Sequence, residues 1–336
     1  MNILLTGGAG YIGSHTAVVL VQAGHEVVLL DNFCNSNHIV LKRLQRILGK
    51  ALPYVEADVN DTVTVEKVLR EYRIDAVIHF AGLKSVGESV SSPILYYINN
   101  VQGTISLLRA MQTVGVKTIV FSSSATVYGE PQYLPVDENH LTHPTSPYGR
   151  TKLYIESILR DVAASDSGWS ITNLRYFNPV GAHDSALIGE SSNGAPSNLM
   201  PFIVRVADGA IPTLSIYGSK YPTVDGTGTR DYIHVMDLAE GHLAALNFST
   251  KNFGWNVFNL GTGNCYSVLE LVNIFEKVTG VEVNYEFAAP RLGDIATSYA
   301  AVQKAKTELQ WQAKRNVETM CMSAWRWHKD APKNNI

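Results

Sequence analysis

The stretch TGGAGYIGSH, Thr6 to His15, follows a short apolar run, Ile3–Leu5, and opens a segment of helical spacing, Ile12–Ala23. Its glycines fall at Gly7, Gly10 and Gly13. A strand, a glycine turn and a helix in that order suit a diphosphate. The turn is tight, the backbone can approach closely, and the first-turn N–H groups face the anion. Three glycines at this spacing are weak alone, so the neighbouring residues decide. The next apolar run, Val27–Leu30, ends at Asp31, where a carboxylate can bond both hydroxyls of an adenosine ribose. Its charge repels a 2′-phosphate, and Asn32 and Phe33 supply no arginine to accept one. The pattern predicts a dinucleotide site that takes NAD rather than NADP.

Outward from that unit the alternation continues. Pro53–Glu56, Ala76–His79, Thr118–Phe121 and Ile171–Arg175 read as strands, and Ile39–Leu48, Val63–Arg70, Ile94–Val114 and Tyr148–Ala163 as helices. Such a series predicts an α/β fold, a Rossmann-like doubly wound parallel sheet. Two further strand ends fit the same crevice: Asp58-Val59 near the adenine and Phe80-Ala81-Gly82 beside the middle of the cofactor. Beyond residue 177 the texture changes to a polar loop, NPVGAHDSALIGESSNGAPSN. Val235–Phe248 reads as a helix and Val257–Leu260 as a strand returning to the large domain, while Val268–Thr279, Val281–Phe287 and the segment ending WRWHK build a smaller unit. The expected division is an NAD-binding domain over 1–176, completed by 235–260, and an interleaved α/β substrate-binding domain over 177–234 and 261–336.

Composition excludes several classes. With 46% hydrophobic and 17% charged residues and a net charge of -3, the chain has no basic stripe for nucleic acid. It shows neither a leader-like start nor an apolar run of the roughly 20 residues needed to span a bilayer. Cys34, Cys265 and Cys321 are odd in number and far apart, which points to a reducing, cytoplasmic setting. The ten histidines carry no metal-ligand spacing, and His140 and His143 read as loop residues, so no metal is expected.

The chemistry lies in SPYGRTKLYIE, Ser146 to Glu156. Tyr148 and Lys152 are four apart on a helical pattern and share a face. A surface pair is the ordinary reading of that spacing, but here the preceding strand runs into Ser122-Ser123-Ser124 at the carboxyl end of the sheet, where ligands bind. A phenol of pKa about 10 is a poor base near neutrality. Lys152 and the positive nicotinamide can stabilise the phenolate, Lys152 can hold the nicotinamide ribose, and Ser124 can hold the reacting hydroxyl and relay its proton. The pair predicts activation of an alcohol for hydride transfer.

With these motifs in order, the chain resembles the extended short-chain dehydrogenase/reductase family and, within it, the UDP-hexose 4-epimerases. TGGAGYIGSHT, DNFCNS, HFAGLKSVGES, YYINNVQGT, FSSSATVYG, SPYGRTK, LRYFNPVGAH, SNLM, DGTGTRDYIHVMDLA and NLGTG carry the resemblance almost end to end. It implies that Tyr11, Ile12, Asp31, Asn32, Asn35, Asp58, Lys84, Asn99, Ser122, Tyr148 and Lys152 face the cofactor, with Phe177 beside the nicotinamide. Lys84, Ser124, Tyr148, Asn178, Asn198, Leu199 and Tyr232 are implied to meet the nucleotide-sugar. Arg230 and Arg291 are implied to grip its diphosphate, Tyr217 to lie near the uracil and Asp294 at the uridine ribose. Each arginine could by itself be an ordinary surface residue, though guanidinium forks match diphosphate oxygens.

The implied reaction is reversible C4 epimerisation of UDP-galactose and UDP-glucose through a transient 4-keto sugar and tightly bound NAD. Three rivals differ in chemistry. A nucleotide-sugar 4,6-dehydratase needs an Asp/Glu pair after the catalytic hydroxyl, where this chain has Ala125 and Thr126. A simple NAD-dependent dehydrogenase has no use for a UDP-binding half, and a non-enzymatic NAD-binding regulatory module has none for Ser124, Tyr148 and Lys152. The resemblance further implies a homodimer through helices Ile94–Val114 and Tyr148–Ala163. Epimerases restricted to plain hexoses carry tyrosine four residues after the position of Asp294. Here Ser298 stands there and Tyr299 follows, so UDP-N-acetylglucosamine and UDP-N-acetylgalactosamine are expected as substrates too.

Overall fold

The computed structural model describes residues 1–191, 198–291 and 293–330. Of the polar loop read between 178 and 198, residues 192–197 lie outside the described residues. The first half alternates: β1 (Asn2–Thr6), α1 (Tyr11–Gln22), β2 (Glu26–Asp31), α2 (Ile39–Leu48), β3 (Tyr54–Glu56), α3 (Thr62–Glu71) and β4 (Ala76–His79). Two short helices, α4 (Val86–Ser91) and α5 (Pro93–Tyr96), lead through a π-helical turn, Tyr97–Gln102, into α6 (Gly103–Val114). Then come β5 (Thr118–Ser124), α7 (Pro147–Ser165) and β6 (Ser170–Tyr176).

Odd and even residues of the strands explain the layers. Ile3, Leu5, Val27, Leu29, Ile78 and Val120 join one core with Ala17, Val18 and Leu20 of α1 and Leu44 of α2. Their neighbours Leu4, Val28, Leu30, Val77, Ile119 and Phe121 join a second core with α3, α6 and α7. Strand side chains alternate between faces, so a sheet covered on both sides needs apolar residues at every position. Burying each such side chain contributes about 1.5–3 kcal/mol.

The second half crosses between two units. β7 (Asn178–Val180), β8 (Leu214–Tyr217), β9 (Thr229–Arg230) and β10 (Tyr232–His234) belong to small sheets outside the main one, with α8 (Leu199–Ala207) between β7 and β8. α9 (Val235–Ser249) then packs on α1, β5 and β6, and β11 (Gly254–Leu260) pairs in parallel with β6. The main sheet therefore has seven parallel strands in the order β11-β6-β5-β4-β1-β2-β3. Next come β12 (Tyr266–Ser267), α10 (Val268–Thr279), β13 (Tyr285–Ala288), β14 (Thr297–Ser298), α11 (Gln303–Glu308) and α12 (Val317–Asp330). Ile203, Leu271, Phe275, Met320 and Cys321 form the core of the smaller unit. Ala305, Leu309 and Trp311 pack into the large core instead, so the chain returns there once more.

One helix departs from expectation. Ile94–Val114 is interrupted by the π turn, which sets the buried Asn100 side chain against the backbone of Leu83. Its Oδ1 accepts from Leu83 N at 2.8 Å, and its Nδ2 donates to Leu83 O at 3.0 Å and to Thr151 Oγ1 at 3.1 Å. The widened turn is paired with a loop from another part of the sheet, and helical periodicity carries no trace of it. Among the described residues no helix is long and apolar enough to cross a membrane.

Candidate active site

The switch in strand order between β1 and β4 opens a crevice at the carboxyl ends of the sheet, with the glycine turn at its edge. Gly7 has φ +70, and a Cβ there would lie 2.7 Å from Ala81 N. A Cβ on Gly13 would lie 2.4 Å from Gly7 O. Packing therefore requires both glycines. Gly10 differs, since an added Cβ would meet only Gly7 O at 3.2 Å. The bare backbone it leaves lies at the N-cap of α1, which has no side-chain cap and no acidic residue in its first turn. Tyr11, Ile12 and Gly13 open that helix, whose free N–H end is a cradle for a pyrophosphate.

Asp31 is held at the end of β2. Its Oδ2 accepts from Ala9 N at 2.9 Å, and its Oδ1 from Phe33 N and Ser36 Oγ, both at 2.9 Å. Asp58 is steadied by Asn32 Nδ2 at 3.0 Å and Asn60 N at 2.8 Å. Burial pushes its carboxyl up, but the Asn60 and Asn32 donors hold it below the usual range. Val59 is buried, the Phe80 ring packs tilted against His242 with centroids 4.8 Å apart, and Ala81 N donates to Thr6 O at 3.0 Å. Gly82 lies against Asn100, and Asn99 sits half-buried in the π turn. Asn35 lines the same cavity as Gly10. The donor set, the bare glycine turn and the fixed Asp31 carboxylate fit NAD.

Ser124, Tyr148 and Lys152, the expected reacting groups, converge on the next strand. Ser146 caps α7 by accepting from Gly149 N at 3.1 Å, and Pro147 begins it, so the helix starts where its first turn meets β5. Tyr148 and Lys152 lie one turn apart. Lys152 is buried and donates from Nζ to Ser122 O at 2.7 Å, with Nζ 5.9 Å from the centroid of the Tyr148 ring. Ser124 Oγ accepts from Thr126 N at 3.2 Å and Thr126 Oγ1 at 3.0 Å, and it lies close enough to the Tyr148 phenol to lower its pKa. Burial pushes the Tyr148 phenol up to about 12, against a lowering by Ser124. Burial also brings the Lys152 ammonium down to about 8, with Glu156 opposing. Lowering of the phenol toward neutrality is therefore not a property of these side chains alone.

Sequence reasoning missed the buttress behind this pair. Glu156 continues the Tyr148–Lys152 face of α7, accepts from Ser123 Oγ at 2.5 Å and forms a buried ion pair with Arg175 of β6, Nη2 to Oε2 at 2.6 Å. A carboxylate four residues beyond Lys152 on the helix face was a signal available in the sequence. Tyr176 Oη bonds His242 Nε2, while Phe177 packs with Val127, Tyr128 and Ala300.

Across the crevice the smaller unit gathers a second group. Arg230 Nη1 donates to Thr229 O at 2.8 Å, and Arg230 is close enough to Asp294, Arg291 and Tyr232 for each to affect its charge. Arg291 pairs with Asp294 at 3.0 Å and stacks over Tyr217 at 4.7 Å. Tyr232 is buried in the small core, whereas Asn178 is exposed at the start of β7. Lys84 Nζ donates to Glu190 Oε1 at 2.9 Å, and Asn198 Nδ2, just before Leu199, donates to the same oxygen at 2.6 Å. Glu190 has no motif around it and was invisible in the sequence. Ser298 is half-buried and registers with Arg230. Among the described residues no cluster of three or more His, Cys, Asp or Glu side chains could hold a metal ion.

A Rossmann-like sheet with a glycine cradle and a Ser/Tyr/Lys group at its carboxyl edge defines an extended short-chain dehydrogenase/reductase. A family profile described as GDP-mannose 4,6 dehydratase matches residues 4–324. UDP-glucose 4-epimerase of Bacillus subtilis is 57% identical over 327 residues, 97% of this chain and 96% of that protein. The crystal structure of UDP-glucose-4-epimerase from Stenotrophomonas maltophila, with bound NAD and formylated UDP-arabinopyranose, superposes with a TM-score of 0.96 at 51% identity, covering 98% of each chain. That of the Bifidobacterium longum enzyme with NAD+ and UDP gives 0.95 at 48%, again over 98% of each. The chain belongs to the UDP-glucose 4-epimerase family, NAD-dependent isomerases within the broader group that the dehydratase profile describes.

Proposed function

We propose that this chain interconverts UDP-galactose and UDP-glucose by oxidising and re-reducing C4 within one binding event. The observation that carries this is the Tyr148 ring one helical turn from the buried Lys152 ammonium, with Ser124 close enough to lower the phenol, at the carboxyl edge of the sheet that holds the glycine cradle. Tyr148 removes the C4 hydroxyl proton while Ser124 holds that oxygen. Bound NAD supplies the acceptor for the C4 hydride, the donor that returns it, and a positive charge beside a phenol that the protein alone leaves at about 12. Lys152 holds the nicotinamide ribose and keeps its ammonium behind the tyrosine. Arg230 and Arg291 anchor the diphosphate, so the 4-keto sugar can turn about that link and present its other face. Tyr148 then returns its proton to the new C4 oxygen. Asp31, Asn32, Asn35, Asp58, Lys84 and Asn99 serve the cofactor, with Phe177 beside its nicotinamide. Asn178, Asn198, Leu199, Tyr217, Tyr232 and Asp294 serve the nucleotide-sugar.

The elimination of water that a 4,6-dehydratase performs has no support at the following positions. Ala125 has no proton to give, and Thr126 is bonded to Ser124. Purified protein incubated with UDP-galactose and no added NAD should approach a mixture with UDP-glucose, read by anion exchange. Stoichiometric free NADH with a released keto sugar excludes the reading.

Ser298 extends the range to the N-acetylated UDP-hexoses. Thr297 Oγ1 touches Thr229 Oγ1 at 2.9 Å, so Ser298 lies with Arg230 on the other face of the paired strands. Tyr299, one residue on, turns away from that face, and its carbonyl is fixed by Val136 N at 2.9 Å. A homodimer is supported by exposed Ile94, Ile98, Ile105 and Tyr154 on α5, the π turn, α6 and α7. Sedimentation at micromolar concentration should give twice the 36.8 kDa chain, and a monomer refutes it. A reducing, cytoplasmic setting fits the separated cysteines.

A further inference from the structure

We infer that Trp327, seated on Gly189 and stacked with Arg43, is the latch that retains the dinucleotide on this protein. The inference rests on the NAD reading above and adds the residues that govern release. Segment 188–190 shares a small cavity with the glycine turn, through Ile188 and Gly189, and is tied to both units. Gly189 lies directly against the indole, since an added Cβ would be 2.5–2.7 Å from Trp327 ring atoms. Trp327 Nε1 donates to Glu190 O at 3.3 Å. The Glu190 side chain is bound in turn by Lys84 from the large unit and Asn198 from the smaller one.

Arg43 completes the grip. It projects from α2 beside the NAD site, is buried to 8% exposure, and sets its guanidinium 5.0 Å from the indole centroid. The cavity they share with the glycine turn measures about 40 Å³ and is lined by Gly10, Tyr11, Gly189, Arg43 and Trp327. Helix α12, near the end of the described chain, therefore bears on the cofactor loop that begins it. A dinucleotide lying on the glycine turn leaves when segment 188–190 lifts, and lifting it unseats Trp327. Removal of the indole or of its cationic partner should speed release without touching the reacting groups.

The test is exchange of bound NAD against labelled NAD in the purified full chain, with dinucleotide content per chain measured after gel filtration and acid release. Trp327→Ala, Arg43→Met and Gly189→Ala should each release NAD at least tenfold faster than the parent, and Trp327→Ala should turn over at a rate that rises with added NAD. Parental release rates in Arg43→Met and Gly189→Ala overturn the inference, whether or not Trp327→Ala folds. A parent that carries no NAD and shows no epimerase activity refutes the underlying reading instead. A loaded parent with equally retentive variants refutes only the latch.

Discussion

Replacing Glu156 by leucine leaves the Arg175 guanidinium buried without its paired carboxylate. Both side chains are nearly inaccessible, and the pair is two-pronged, with Nη2–Oε2 at 2.6 Å and Nε–Oε1 at 3.0 Å. Arg175 keeps Tyr128 Oη as a neutral partner at 3.0 Å, but it cannot shed its proton. Breaking one side of such a pair costs about 3–5 kcal/mol. At about 2 °C per kcal/mol for a chain this long, the melting temperature should fall about 6–10 °C. Arg175→Met should cost less, because a stranded carboxyl can take up a proton and become neutral. The double variant Glu156→Leu/Arg175→Met should lose far less than the sum of the two single losses, since an apolar pair of similar volume often replaces a buried ion pair at little cost. Urea unfolding at one saturating NAD concentration measures all three, with the ligand contribution held fixed. A Glu156→Leu loss below about 1 kcal/mol, or strict additivity in the double variant, refutes this account of how α7 is braced.

Tyr148→Phe should reduce turnover about 10²–10⁴-fold while NAD stays bound, because only the acid/base oxygen is removed; turnover within threefold of the parent ends that assignment. Acid should destabilise the fold before its carboxylates titrate. Burial holds His15, His79 and His234 near about 3 and His242 near about 4, below the ordinary 6.5. The unfolded chain then binds more protons below pH 6.5, so stability is present above that value and is lost as pH falls, by about 2 kcal/mol per histidine at pH 5. Buried Glu138, Asp231 and Asp237, whose carboxyls burial raises, act with the opposite sign and offset part of this. A melting temperature unchanged between pH 7.5 and 5 contradicts it. Ser298→Tyr should lower kcat/KM for UDP-N-acetylgalactosamine far more than for UDP-galactose; a parent with no acetylated-sugar turnover removes the open-pocket reading.

What the sequence by itself determined is local or periodic. The glycine turn, the carboxylate at the end of β2 and the Tyr148–Lys152 pair are set by neighbours a few residues away, where spacing and turn chemistry act directly. The continuous apolar runs of β1, β2 and β4 likewise announce a sheet buried on both faces. Tertiary structure decided what depends on distant partners. The π turn at 97–102 places Asn100 against Leu83, and α11 returns to the large core through Ala305 and Leu309. The net height of the Tyr148 pKa is a balance of burial against one hydroxyl. Glu190 joins Lys84, 106 residues away, to Asn198 and Trp327. Such contacts leave no period in the chain, because each forms only when folding brings separate segments into one low-dielectric place.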